Sequence, residues 1–163
     1  MFTPVVLSVL LAAAPPEPTP ADDAAALVEA VRTLAGNQFH QAYLNLDTIV
    51  ELRFFGAREA GELNLMLARA IDAAEEAERH LARVAKVKGL GKEDAAAVER
   101  LRKIAEQLRK QGVSLQAYWT TGVADHWKEA EKAHDAGWVE LEDVLGLKKG
   151  VAPPPREPGK TKP

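Results

Sequence analysis

The sequence predicts an all-α protein, an antiparallel up-and-down bundle of four to five helices. Three observations predict it. Apolar residues recur at heptad spacing on helix-favouring sequence, short glycine turns separate such segments, and no stretch alternates with the period of a strand. The clearest segment is Ala60–Val84. There Ala60, Leu63, Leu67, Ala70, Ala74, Ala77, Leu81 and Val84 follow one another at steps of 3, 4, 3, 4, 3, 4 and 3. One bare apolar stripe does not hold a helix in water, so its neighbours must present matching stripes. This segment therefore reads as the central member around which the other helices are organised.

Residues 1–14 carry a short apolar run, Val5 to Ala14, interrupted only by Ser8 and ending in three alanines. Ten residues make about 15 Å of helix, too little to cross a bilayer. The pattern fits a secretory signal peptide with an A-x-A ending, although no Lys or Arg precedes the run and Pro15 follows it. An exported protein, periplasmic or secreted, is the expectation. Residues 15–20 hold four prolines, an extended linker. The bundle is expected over 21–147, and 148–163 reads as a disordered basic, proline-rich tail.

Within the bundle, Asp22 and Asp23 suit a helix start, and Ala24, Leu27, Val31 and Leu34 make a first stripe. Phe39, Ala42, Leu46 and Ile49 resume the pattern out of register, so Gly36-Asn37 predicts a helix break. Gly56 ends this segment. The central helix is expected over 57–88, closed by Gly89-Leu90-Gly91. The next spans 92–111 on Ala97, Leu101, Ile104 and Leu108, with Gly112 as its stop. A last helix from Ser114, a plausible N-cap, to 144 carries Val123, Trp127, Ala130, His134, Gly137, Leu141 and Val144. Gly122 and Gly137 each cost roughly 1 kcal/mol against alanine there, which points to close approach by a neighbouring helix.

Composition excludes more than it selects. In 163 residues, an apolar fraction of 47% and a charged fraction of 28% suit one ordinary globular domain. Without cysteine there is no disulfide, thiolate metal site, lipoprotein acylation or Cys nucleophile. The tail from Lys148 carries +4 and the rest −7, and no basic stripe or aromatic platform for nucleic acid appears. The tail alone suits weak contact with an anionic surface. No Gly-x-Ser-x-Gly and no phosphate loop occurs. Glu75, Glu76 and Glu78 fall on outward heptad positions, as a solvated face would.

His134 is the one polar residue on an apolar stripe, between Trp127 and Trp138. Glu131-x-x-His134 resembles half of a di-iron site, but such bundles need two of these motifs plus further glutamates, and only one is present. A mononuclear metal or a haem needs fewer ligands, with His126 and His80 as possible partners; the plainer reading is a core histidine. Met66, Leu65 and Ile71 flank the central seam. Together with Phe54, Phe55, Tyr118, Trp119 and Trp127 they either widen the core or line a groove for a partner helix or peptide. A 35-residue offset aligns Phe39, Ala42, Leu46 and Ile49 with Ala74, Ala77, Leu81 and Val84, close to the length of a tetratricopeptide unit. The expectation is therefore a non-enzymatic exported bundle with no cofactor, acting on an unidentified protein or peptide as an adaptor or holdase-like factor. A cofactor-binding bundle using His134 and a tetratricopeptide-like adaptor are the alternatives.

Overall fold

The computed structural model describes residues 20–87 and 90–146. Four helices fill this span: α1 (Pro20–Phe54), α2 (Ala60–Val84), α3 (Lys92–Thr121) and α4 (Ala124–Leu145). The expected signal segment and tail, and all of the linker but Pro20, lie outside the described residues. Pro20 is the first residue of α1, where its missing N–H and fixed φ cost nothing. No described helix is long and apolar enough to cross a membrane.

Sequential helices run antiparallel, so α1 lies parallel to α3 and antiparallel to α4. Both α1 and α3 touch all three other helices, while α2 and α4 occupy opposite corners and make no contact among the described residues. This corrects the expectation that α2 organises the bundle. Its seam is nevertheless real: Leu63, Leu67, Ala74 and Leu81 are buried, and Ala70, Ala77 and Val84 are half-buried against the core. The most continuous core stripe belongs to α3, through Val98, Leu101, Ile104, Leu108 and Leu115. Burial of each such side chain contributes roughly 1.5–3 kcal/mol before chain entropy is counted.

Two expected helix ends are corrected. The break at Gly36-Asn37 does not occur, because α1 is one helix of 35 residues, about 50 Å long. Val31, Phe39 and Leu46 of the expected stripes do pack, but Val28 and Ala35 stand beside Val31 where Leu27 and Leu34 were expected, and the row runs in phase through Phe39 into Tyr43, Leu46 and Val50. Leu27 and Leu34, read as core, are 65% and 66% exposed. With a continuous α1, the 35-residue offset matches parts of two long helices and not a repeated helix pair. Likewise α3 does not stop at Gly112. Ser114 is half-buried within it, and the helix runs on to Gly122, whose φ of 71° ends it with the Gly122 N–H bonded to the Tyr118 carbonyl at 2.8 Å. Val123, expected on the last core stripe, is instead the exposed N-cap residue of α4.

Gly36 and Gly112 serve close packing. A Cβ at Gly36 would lie 2.7 Å from Leu145 Cδ2, and one at Gly112 2.6 Å from Ile71 Cγ1. These contacts explain why a glycine sits in a helix that does not end there.

Charged residues add register between helices. Glu78 of α2 accepts from Arg109 at 3.0 Å and from Arg102 at 3.5 Å, both on α3. It is therefore not part of a solvated face, unlike Glu75 and Glu76, which are exposed. Arg100 of α3 donates to Glu140 at 3.2 Å and to Asp143, both on α4. Each such half-exposed pair contributes little on its own, about 1 kcal/mol at most.

The two interior glycines predict opposite outcomes. Leu145 Cδ2 is the far end of a flexible side chain, whereas Ile71 Cγ1 belongs to a stiff β-branched one. Gly36→Ala gains helix propensity and should raise stability by up to about 1 kcal/mol. Gly112→Ala should lower it by about 1–2 kcal/mol as overpacking outweighs that gain. Urea unfolding monitored by circular dichroism measures both.

Candidate functional site

Two regions bring the candidate residues together, and they lie along one seam. Down the α1–α4 contact, Phe54 meets Trp127, Asp47 meets His134, Tyr43 meets Gly137 and Gly36 meets Leu145.

At one end of this seam, the α1–α2 turn and the α3–α4 turn come side by side. Phe54 packs edge-on against Trp127 with centroids 5.5 Å apart, and Tyr118 of α3 meets Trp127 at 5.6 Å. The Arg53 guanidinium stands 5.4 Å above the Trp119 ring, a cation–π contact between α1 and α3. The indole nitrogens of Trp119 and Trp127 are buried without a hydrogen-bond partner. Around this cluster Phe55 is 68% exposed and Val123 48%. Of the expected interaction residues, Phe54, Phe55, Trp119 and Trp127 thus gather here. Trp127 itself is core, Trp119 is half-buried and Phe55 is the outward one. Met66 does not join them as a surface group. It is half-buried against the core on α2, where Leu65 is the exposed neighbour.

Two turns further along α4, His134 is 1% exposed. Its Nε2 lies 3.7 Å from Asp47 Oδ2 on α1, and its Nδ1 lies 3.3 Å from Asp135 Oδ1. The ring stacks on Trp138 at 6.0 Å with an 8° interplanar angle, and Tyr43 meets both rings edge-on at 5.5 and 5.7 Å. Trp138 Nε1 donates to buried Glu142 Oε1 at 3.0 Å, and the His40 ring lies tilted against Trp138 at 5.5 Å. What admits Tyr43 is Gly137. A Cβ there would fall 1.7 Å from Tyr43 Oη and 2.8 Å from Gln107 Cβ of α3. The close approach read from Gly137 in the sequence is thus found, while Gly122 serves as a helix end.

Polar capacity is left unused in this layer. Tyr43 Oη, Asp47 Oδ1 and His134 Nε2 are buried with no hydrogen-bond partner, as is Gln111 Oε1, one α3 turn on from Gln107. Burial pushes the Tyr43 hydroxyl far above its usual pKa, and the Asp47 charge adds to this, so it stays protonated. Burial works to lower the His134 pKa, but Asp47 and, after it, Asp135 outweigh burial and hold it above 6.5.

No three His, Asp or Glu side chains converge as a metal-holding group among the described residues. His80, considered as a second ligand, is exposed on α2 beside Glu76, and α2 does not reach α4. His126 pairs on the surface with Glu129 at 3.6 Å. Nothing in the sequence marked Tyr43 or Asp47. The available signal was limited to Gly137 and His134 on one stripe, with Trp138 and Glu142 one turn apart. No protein-family model, curated protein or solved structure matches this chain.

The Gly137 contact carries a prediction. Gly137→Ala should destabilise by about 1–3 kcal/mol despite better helix propensity. Tyr43→Phe, which removes an unbonded hydroxyl, should be neutral or mildly stabilising alone. Because it removes the closest atom, it should also recover part of the Gly137→Ala loss. A double-mutant cycle by urea unfolding measures that coupling.

Proposed function

We propose that this is an exported, non-enzymatic helical bundle acting through protein or peptide interaction, as an adaptor or holdase-like factor. The aromatic end of the bundle is its contact surface. The observation that carries this reading is the exposure of Phe55 and Val123 at the helix ends where Phe54, Tyr118 and Trp127 pack together. Aromatic side chains are effective anchors because they bury large area at small entropic cost. The export part rests on the apolar run of residues 1–14. The basic tail from Lys148 supplies a further contact to an anionic surface.

Two properties of the purified protein test the interaction reading: binding of an apolar fluorescent dye, and suppression of aggregation of a chemically unfolded client. Phe55→Ser should weaken both severalfold. Leu34→Ser, which removes an equally exposed leucine from the other half of α1, should change neither. A wild-type protein that binds no dye and protects no client would contradict the proposal. Amino-terminal sequencing of the mature protein from its native cells tests export. Material that retains residues 1–14 within the cytoplasm would refute that part.

A further inference from the structure

We propose that His134 and Asp47 form a proton-operated clamp that holds α4 against α1. The clamp is independent of the interaction reading, since it rests on the middle of the seam and not on its aromatic end. The geometry suits a charged ring. An imidazolium has two N–H donors and no acceptor, and both His134 nitrogens face a carboxylate oxygen, Asp47 Oδ2 at 3.7 Å and Asp135 Oδ1 at 3.3 Å. A neutral imidazole would turn one acceptor nitrogen toward a carboxylate, which has no proton to give.

The two carboxylates are unequal. Asp135 follows His134 on α4 and its side chain is 72% exposed, so water screens it and it joins no second helix. Asp47 comes from α1, and its side chain is mostly buried, with Oδ1 unpartnered. The clamp between helices is therefore the Asp47 contact. The other groups facing His134 do not replace it. From α1, Tyr43 presents an aromatic edge, and its hydroxyl has no bond. The ring contact of His40 is with Trp138, and Glu142 of α4 accepts from the Trp138 indole N–H. From α3, the residue brought to Gly137 is the uncharged Gln107. Once His134 loses its proton, Asp47 keeps a half-buried carboxylate that faces an uncharged ring across the seam. Stacking of a cationic ring on Trp138 favours the charged form as well.

The sign follows from the folded-state shift. The folded pKa lies above the free-imidazole value of 6.5, so the stabilisation is complete below 6.5. It is lost as pH rises through the folded value. Urea unfolding of the full chain between pH 6 and pH 9 tests this. For wild type, the unfolding midpoint should fall with rising pH. For His134→Gln, which keeps a polar side chain of similar reach, the midpoint should be flat over the same range. Asp47→Asn keeps the histidine and removes its interhelical partner. Its midpoint should also lose the decline, and it supplies the test should His134→Gln fail to fold. A wild-type midpoint that is flat or rises, or a decline that persists in either variant, overturns the proposal.

Discussion

The arrangement of this bundle depends on one missing side chain. Gly137 lets α4 come down onto the Tyr43 hydroxyl of α1 and the Gln107 stem of α3 together, at distances that no Cβ would tolerate. That approach puts His134 within reach of Asp47 and lets Tyr43 set its edge against both His134 and Trp138. It also aligns the rest of the α1–α4 seam, with Gly36 under Leu145 at one end and Phe54 against Trp127 at the other. Around this seam, α3 supplies the continuous apolar stripe and α2 closes the remaining side, touching α1 and α3 but not α4 among the described residues.

A bundle of this kind can be held by apolar area alone, so its buried polar layer calls for a separate explanation. Glu142 satisfies Trp138, but Tyr43 Oη, Asp47 Oδ1 and Gln111 Oε1 lack partners. Such groups cost stability wherever they stay unpaired. What they add is selectivity: a slipped α1–α4 register would separate His134 from Asp47 and place one or both charges against apolar side chains. The ionic contacts of Glu78 with Arg102 and Arg109, and of Arg100 with Glu140 and Asp143, impose the same kind of constraint nearer the surface.

Much of the fold was legible in the residues because heptad spacing and helix periodicity are the same fact. The seam of α2 and the turn at Gly56 follow directly from it. Glycine was the harder letter. Gly56, Gly122 and Gly146 have φ near 61°, 71° and 65° and end or join helices. Gly36, Gly112 and Gly137 lie inside helices and admit a neighbour. Residue type alone does not separate the two uses. Phase does: Ala35 to Phe39 and Leu108 through Leu115 keep step across their glycines, and reading Leu27 and Leu34 as core hid the first of these. The site was half legible for a related reason. His134 stood out as a polar residue on an apolar stripe, but Asp47 is its partner only through the register of two helices far apart in the chain, and one sequence carries no direct record of that register.

The proposed clamp requires a charged histidine in the core of this bundle, facing Asp47 across the α1–α4 seam. Nitrogen-15 NMR of the imidazole rings of the folded full chain reads this state directly. At pH 6.5, where a free imidazole is half protonated, His134 should be mostly imidazolium, with both ring nitrogens carrying protons. A His134 ring that is mostly a neutral tautomer at that pH would contradict the account.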